Sequence, residues 1–279
     1  MAVRFREENH TYESIDPNEK IDWLSVTKLV GMFKPKFDPV ERSEKASRNS
    51  RSKWYKLAPE KIREAWENES KRSTDLGTWY HKEREKDICN VDTINRSGKA
   101  IPIVKPLQNI EDKIAPEQRL MEGIYPEHFV YLKSEGICGQ SDRVEVVGDT
   151  IDIFDYKTNK EITTEGFRSW DGKVARLEKP LQHLEDCHLV HYGLQLSTYL
   201  YIILKHNPLY KPGKLWIHHI TFKVCDYDQY KYPIVCVDND GNPIPEKVVP
   251  YEVPFYKKEV EIMLKHLKKY RNEQSKTLS

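Results

Sequence analysis

The chain has 279 residues, of which 38% are hydrophobic, and its 16 Tyr and 6 Trp can build a real core, which excludes a disordered protein. Its 45 basic and 44 acidic residues leave a net charge of +1, so any positive surface for nucleic acid is local. The longest apolar run, near Leu200, is too short to cross a bilayer, and the first ten residues lack the apolar stretch of a signal peptide. We expect a cytoplasmic protein, from a bacterium or a phage-infected host, with no membrane partner.

Sequence patterns predict short strands or a hairpin over 1–24 and two helices over 40–72. The further predicted elements are a helix over 74–87 capped by Thr74 or Asp75, irregular chain over 91–119, strands over 127–133, 137–147 and 150–157, a long helix over 184–206, a strand over 214–225 and an amphipathic helix over 254–272. Strands and helices mixed in this way predict an α/β fold, with a central mixed β-sheet flanked by helices and an N-terminal helical segment.

The cysteines lie far apart, and they include no C-x-x-C pair. This spacing argues against a zinc ribbon and against an iron–sulfur cluster. Their odd number is typical of reduced thiols in a cytosol-like compartment. We expect packing residues at all five positions, Cys89, Cys138, Cys187, Cys225 and Cys236.

A run of basic residues without an acidic one between them lies within the predicted helices: Lys45, Arg48, Arg51, Lys53 and Lys56. Trp54 and Tyr55 lie inside this run. Basic side chains that contact phosphates beside aromatic side chains that stack on bases are typical of nucleic-acid binding. A solvated helix face is the alternative that the pattern leaves open.

The stretch 139–160 predicts a hairpin, because a Gly-Asp pair at 148–149 separates two alternating runs. This turn sets the opposed pairs: Val147 with Thr150, Val146 with Ile151, Val144 with Ile153, and then Asp142 with Asp155. The period of two places Lys157 on the same face. Two opposed carboxylates at the edge of a core repel each other, and a hard divalent cation such as Mg²⁺ would remove the repulsion. Alternatively, both aspartates are exposed at strand ends and Lys157 pairs with one of them.

Four motifs then resemble one family. Gly139 to Asp142 and Asp155 to Lys157 resemble the G-x-x-D and D-x-K elements of the PD-(D/E)XK nucleases. Gly77-Thr78-Trp79-Tyr80-His81 and Gln195-Leu196-Ser197-Thr198-Tyr199 resemble the G-x-x-x-H and Q-x-x-x-Y motifs of its RecB-like branch. Trp23-Leu24-Ser25-Val26-Thr27 is similar to the S-V-T segment of phage and mitochondrial genome-maintenance exonucleases. The order of these motifs matches over residues 25–199.

The resemblance implies a restriction-endonuclease-like core and a role for each matching residue. Asp142, Asp155, the carbonyl of Tyr156 and His81 would bind Mg²⁺, with Mn²⁺ able to substitute, and no iron–sulfur cluster is expected. Lys157 would orient or deprotonate the attacking water and stabilise the phosphate in the transition state. The supporting residues are Gln195 and Tyr199, which would line the site, Glu127 as a further acid, and Ser25, Thr27, Lys45, Arg48, Arg51 and Lys53, which would bind DNA.

The function implied is a Mg²⁺-dependent deoxyribonuclease, an exonuclease on single-stranded or open-ended DNA in replication, recombination or repair. No phosphate-binding P-loop is present, so a helicase or recombination protein is the expected partner. The alternatives are an endonuclease, an inactive nucleic-acid-binding protein on a nuclease fold, and a hydrolase of small phosphate esters. We expect a DNA-guiding segment over 1–72, a nuclease core over 73–225 and a C-terminal extension over 226–279 that packs on the core.

Overall fold

The computed structural model describes residues 3–6, 11–106, 113–114 and 118–277. In these ranges the helices are α1 (Val26–Gly31), α2 (Pro39–Arg48), α3 (Pro59–Cys89), α4 (His188–His206) and α5 (Lys257–Thr277). The strands are β1 (Val3–Arg6), β2 (Thr11–Ser14), β3 (Leu24–Ser25), β4 (Thr93–Arg96), β5 (Lys99–Pro102), β6 (Lys113–Ile114), β7 (Gly123–Leu132), β8 (Ile137–Val147), β9 (Thr150–Lys157), β10 (Lys211–Phe222), β11 (Val224–Tyr227), β12 (Pro233–Val235) and β13 (Pro245–Val253).

The main sheet has the strand order β13-β10-β9-β8-β3, and β7 pairs with the other edge of β8. The β7–β8, β8–β9 and β10–β13 pairs are antiparallel, whereas β9–β10 and β3–β8 are parallel. Apolar residues of α1, α4 and α5 form the main core with one face of this sheet. The predicted α/β fold, with a mixed sheet flanked by helices, is confirmed.

Helix α4 lies at the centre of the core, which explains its composition. It contacts the sheet as well as α1 and α5, and its buried residues lie on more than one side of the helix. A helix that is covered on several sides needs apolar residues nearly all round. Because α4 cannot move without disturbing this core, its side chains are rigid supports for whatever lies at the sheet.

The separate helix predicted over 74–87 is wrong, because α3 is a single helix from Pro59 to Cys89. Thr74, proposed as an N-cap, instead donates from Oγ1 to the carbonyl oxygen of Ser70 at 2.9 Å. Asp75 forms an i,i+4 pair with Lys71 at 3.9 Å. Capping residue types can therefore satisfy their hydrogen bonds inside a helix, and no proline interrupts the chain between 60 and 89.

The irregular chain predicted over 91–119 is also partly wrong, because β4 and β5 form an antiparallel hairpin there. Its two turn residues, Ser97 and Gly98, both have positive φ, at 51° and 83°. Two consecutive positive φ angles are typical of a type I′ turn, which matches the twist of the flanking strands. By contrast, the hairpin predicted within 1–24 is confirmed by the β1–β2 pair.

The prediction that all five cysteines are reduced is wrong. Cys225 and Cys236 form a disulfide, since the β11–β12 pairing brings their Cα atoms to 5.1 Å. Cys89, Cys138 and Cys187 are free thiols, and the last two are buried packing residues. Among the helices of the described ranges, every one is too short or too polar to span a membrane.

The domain division stays a prediction. Helix α3 continues without a break across residue 72, where the first boundary was placed. Strand β13, from the predicted C-terminal extension, pairs with β10 in the main sheet. Helix α5 packs on the main core through Val260, Met263 and Leu267, the face that its pattern predicted.

Candidate metal centre

The predicted register of the β8–β9 hairpin is confirmed for the pairs Val147–Thr150, Val146–Ile151 and Val144–Ile153. The ladder ends at Arg143–Phe154, so Asp142 and Asp155 occupy the next step along the two strands. There β9 continues beside β10, where Asp155 lies opposite Ile217. The Tyr156 amide donates to Asp142 Oδ2 at 2.6 Å, so a carboxylate takes the place of a ladder bond where the strands part.

The site lies at a gap along β8. Strand β7 pairs with one whole edge of β8, whereas the other edge is shared between β9 over 143–147 and β3 over 137–138. On this second edge, residues 139–142 have no partner among the described strands. Helix α1 begins beside the gap, with Ser25 as its N-cap. Polar groups and side chains from other elements can therefore reach the backbone edge of β8 at this gap.

Glu127 of β7 lies next to Asp142 in the sheet. It occupies the step between the pairs Pro126–Arg143 and His128–Ser141, which is the step of Asp142. Its φ of 47° is in the left-handed region, a conformation that costs a non-glycine residue about 1–3 kcal/mol and is concentrated at functional sites. Glu127, Asp142 and Asp155 thus form a row of carboxylates across three adjacent strands.

The left-handed Glu127 also changes the alternation of β7. Tyr125, before it, and Val130, after it, both pack into the main core, although strict alternation would place them on opposite faces. The same change occurs in β8, where Ile137 and Val144 share that core. The alternation of side chains between the two faces is therefore interrupted at Glu127 in β7 and on the N-terminal side of Asp142 in β8. The predicted alternation covered only residues 142–157.

His81 reaches the row from α3. The ring of Tyr80, one residue earlier, packs edge-on against Tyr156 and Phe222, with centroids 5.8 Å and 6.1 Å away, and this contact fixes the helix beside β9. His81 Nε2 lies 3.1 Å from the Tyr156 carbonyl oxygen, which only accepts, so Nε2 carries a hydrogen. Nδ1 then faces Asp142 Oδ1 at 3.3 Å and Glu127 Oε1 at 3.8 Å.

The close approach of His81 Nδ1 to the carboxylates of Asp142 and Glu127 requires a positive charge between these three groups. A lone pair on Nδ1 and two carboxylates repel one another unless a proton or a metal cation lies between them. Burial disfavours the imidazolium, but Asp142 and Glu127 outweigh it and hold the pKa of His81 well above its ordinary value. Without a metal ion, a proton on His81 Nδ1 therefore lies where a metal cation could bind.

Asp155 and Lys157 form the other half of the cluster. Lys157 Nζ lies 2.5 Å from Asp155 Oδ2, and both side chains are largely buried. That oxygen receives no hydrogen bond of ordinary geometry from the described residues. Burial first, and then the charge of Asp142, raise the pKa of Asp155 to about 6 in spite of Lys157. Burial would lower the pKa of Lys157, but Asp155 and Asp142 raise it, so the ammonium stays charged.

The donor set fits a hard divalent cation. Ligand atoms of His81, Glu127 and Asp142 all lie within 4.8 Å of one another. Carboxylate oxygens with one imidazole suit Mg²⁺ or Mn²⁺. Two predicted ligands are engaged elsewhere, because Asp155 pairs with Lys157 and the Tyr156 carbonyl accepts from His81. Glu127, predicted only as a further acid, belongs to this group more closely than Asp155 does.

Gln195 and Tyr199 support the site from behind, on α4. Gln195 Nε2 donates to the Tyr199 hydroxyl at 2.9 Å, which gives the glutamine the partner that its apolar surroundings demand. Tyr199 fills the gap along β8, since a Cβ on Gly139 would lie only 2.7 Å from Tyr199 Cε1. The glycine of the G-x-x-D motif is thus required for the close approach of this ring.

Several residues near Lys157 were missed by the sequence analysis. The Lys157 ammonium lies 4.8 Å from the ring centre of Tyr192 on α4. The Tyr192 hydroxyl donates to Asn159 Oδ1 at 2.9 Å, and His219 Nε2 lies 2.6 Å from the Asn159 carbonyl oxygen. These residues come from α4, from β10 and from the chain after β9, so no local spacing in the sequence connects them.

The predicted DNA-binding residues lie on α1, on α2 and in the turn after α2. Ser25 caps α1 by accepting from the Lys28 amide at 3.1 Å, and Thr27 is exposed on that helix. Helix α2 ends at Arg48, so Arg51 and Lys53 lie in the turn that follows. The partners of the basic run are Glu41 for Lys45, Glu44 for Arg48 at 3.4 Å, and the Tyr230 carbonyl for Lys53 at 2.7 Å.

An open cavity of about 460 Å³ lies beside the site, between α3 and the chain after β9. The residues that line it all have polar or charged side chains: Glu69, Ser70, Ser73, Thr74, Thr158, Asn159, Lys160, Glu161 and His188. Lys160 is also 3.8 Å from the ring centre of Tyr232, which connects this wall to the segment that holds Lys53. The cavity therefore brings hydroxyl and amide groups, together with the Lys160–Glu69 ion pair and Glu161, within a few residues of Lys157.

Comparison with known proteins assigns no family. No protein-family model matches the chain, and no curated protein matches it. Among solved structures, the crystal structure of SSO0001 is similar at 14% identity, over 92% of this chain and 80% of that one, with a TM-score of 0.33. A similarity of this size carries no argument about the function of this chain.

Proposed function

We propose that the chain is a metal-dependent deoxyribonuclease of the RecB-like branch of the PD-(D/E)XK nucleases. The observation that carries the proposal is the cluster at the gap of β8, where Glu127, Asp142 and Asp155 meet His81 and Lys157. Two buried carboxylates, Asp142 and Asp155, and the partly buried Glu127 lie beside one ammonium and one imidazole, and such a group is costly without a cation. Perturbed acids and bases that converge in this way are typical of catalytic sites.

His81, Glu127 and Asp142 would hold the cation, with Asp155 beside them. A divalent cation bound there would acidify a water molecule and neutralise charge on a phosphoryl oxygen. Lys157 remains protonated, which favours a role in stabilising the negative charge of the transition state over a role as general base. Asp155 keeps the ammonium in place, and Tyr192 covers it from the side of α4.

The substrate we propose is DNA that is single-stranded or has a free end, cut from that end in replication, recombination or repair, in the cytoplasm. The cavity lined by Lys160, Thr158 and the hydroxyls of α3 has a volume of about 460 Å³ and is open to solvent. Its donors suit phosphate oxygens. A helicase or recombination protein would supply the free strand from duplex DNA.

The test is cleavage of end-labelled linear single strands, linear duplex and closed circular single strands, with Mg²⁺, Mn²⁺ or EDTA. Lys157→Ala should lower the rate by at least about 10²-fold, because it removes a preorganised charge at the phosphate. Lys211→Ala is the matched control, since its ammonium pairs with Asp149 at 2.6 Å at the turn end of the β8–β9 hairpin, outside the cluster and the cavity.

Metal-dependent loss of linear DNA by the wild type, with circles intact, supports the proposal. Cutting of circles would assign an endonuclease. Binding of DNA without any cutting, under all three metal conditions, would contradict the nuclease and favour a nucleic-acid-binding protein on this fold. Cleavage of small phosphodiesters without binding of DNA would assign a small-ester hydrolase.

A further inference from the structure

The connection from β9 to α4 contains a hairpin with a defined turn. An antiparallel bridge joins Arg168 to Val174, and the Ala175 amide donates to the Phe167 carbonyl at 2.8 Å. At its end the Gly172 amide donates to the Ser169 carbonyl at 2.9 Å, and the Ser169 amide donates to the Lys173 carbonyl at 2.9 Å. Gly172 has a φ of 81°, the left-handed residue that closes such a turn. We name residues 166–175 the aromatic hairpin.

The aromatic hairpin is rooted at the candidate metal centre. Two residues after Lys157, Asn159 is held by Tyr192 and His219. The Leu189 amide then donates to the Thr163 carbonyl at 3.0 Å, so the chain is fixed again at the start of α4. From Thr163 the hairpin end is seven residues away, at most about 25 Å of extended chain. The hairpin therefore follows the candidate metal centre along the chain and starts from a point that is fixed at the beginning of α4.

Two large aromatic side chains project from this hairpin into solvent. Trp170 is 99% exposed and Phe167 is 76% exposed. Leaving a whole indole in water forgoes about 1.5–3 kcal/mol that burial would supply. Backbone hydrogen bonds of Ser169 and Gly172 fix the turn that carries Trp170. Arg168 and Lys173 flank the aromatic pair, with Asp171 2.9 Å from Lys173.

We propose that Trp170 and Phe167 stack on unpaired bases of a single-stranded nucleic acid whose backbone lies at the metal centre. This inference rests on the proposed function and names the form of its substrate. An exposed aromatic ring offers a flat face to an unpaired base, the Arg168 guanidinium nearby suits a phosphate, and such stacking contributes about 1–3 kcal/mol per base. A duplex hides its base faces and offers the hairpin no equivalent surface.

The test measures binding in EDTA, so that nothing is cut, by fluorescence anisotropy with a labelled dT20. A second oligomer has the same number of phosphates but abasic sugars throughout. Trp170→Ala should weaken binding of dT20 by about tenfold and leave binding of the abasic oligomer unchanged. The dependence of binding on salt should not change, because no phosphate contact is lost. Trp170→Phe should restore most of the affinity.

Leu209→Ala is the matched control, since Leu209 is 92% exposed but lies before β10, away from the hairpin. Equal loss on both oligomers, or unchanged binding of dT20, would overturn the proposal. A wild-type dimer that Trp170→Ala dissociates, with dT20 binding unchanged, would assign the aromatic pair to a contact between two copies and would also overturn it.

The two proposals fail separately. Stacking through Trp170 in a protein that cuts nothing would support this inference and contradict the nuclease. Normal cutting by a Trp170→Ala variant with wild-type affinity would contradict the stacking and leave the nuclease intact.

Discussion

Strand β8 carries two buried carboxylates three residues apart, and they differ in how they are neutralised. Glu145 is bonded by Arg96 through two hydrogen bonds, at 2.8 Å and 2.7 Å, and also by Arg143. Both of its oxygens are satisfied by guanidinium groups. Asp142 instead shares its surroundings with Glu127 and Asp155, against one ammonium and one imidazole.

The difference separates a structural ion cluster from a site for a ligand. At Glu145 the cationic groups are part of the chain and outnumber the carboxylate, so nothing more is needed. At Asp142 the three carboxylates of Glu127, Asp142 and Asp155 outnumber the one permanent cation, the ammonium of Lys157. Substitutions in the first cluster should therefore change stability, whereas substitutions in the second should change activity and metal response.

The largest effect is expected for Asp155→Asn. The neutral amide no longer holds the Lys157 ammonium by charge, and it reduces the negative charge beside the cation. Turnover on linear single-stranded DNA should fall by about 10³-fold. Initial rates with the labelled substrate, in saturating Mg²⁺, give the measurement. Asp152→Asn on the same strand is the control, because Asp152 faces Gly213 and Lys214, away from the site. An equal loss of turnover in Asp155→Asn and Asp152→Asn would contradict the distinction between the structural cluster at Glu145 and the site at Asp142.

The second largest effect is expected on thermal stability, when a divalent metal ion binds to the folded protein. A cation that binds only the folded protein adds about 2.7 kcal/mol at a hundred times its Kd, which should raise Tm by about 5 °C. Thermal unfolding with Mn²⁺ and with EDTA measures this difference. Asp142→Asn should abolish it. A wild type whose Tm is the same in Mn²⁺ and EDTA would remove the distinction between the two clusters.

Glu145→Gln should lower the free energy of unfolding by about 2 kcal/mol, because Arg143 and Arg96 lose the charge that compensates their burial. Burial would raise the pKa of Glu145, but the hydrogen bond from Arg96 and the charge of Arg143 hold it below 4.5. A lowered carboxyl pKa contributes stability that is present above the ordinary pKa and is lost as the pH falls through the lowered one.

Urea unfolding at pH 7 and pH 4 measures both parts of this prediction. The wild type should lose stability between these values, and Glu145→Gln should lose less. The variant should keep the response of Tm to Mn²⁺. If that response disappears with Glu145, the two clusters are not independent.

Local pattern was sufficient for the hairpin and its carboxylates, because the turn at 148–149 sets a register that period-two alternation then carries to Asp142 and Asp155. Local pattern was insufficient for residues whose position depends on contacts between elements that are distant in sequence. Glu127 joins the row only because its left-handed φ and the β7–β8 pairing place it there. Tyr192 and His219 meet near Lys157 through α4 and β10, which are far away in sequence. The disulfide likewise depends on the β11–β12 pairing, which the cysteine count did not indicate.

The smallest effect concerns the gap itself, at Gly139. A methyl group there would lie 2.7 Å from Tyr199 Cε1 and 3.4 Å from Val26 Cγ2, so the buried ring must move. We expect Gly139→Ala to destabilise the protein by about 1–2 kcal/mol. Because Tyr199 is bonded to Gln195, its displacement should also lower turnover without changing the Kd for dT20. Gly31→Ala is the control, since its added methyl meets nothing within 4 Å. Wild-type turnover in Gly139→Ala would show that the aromatic filling of the gap is structural and that the carboxylate row alone sets the chemistry.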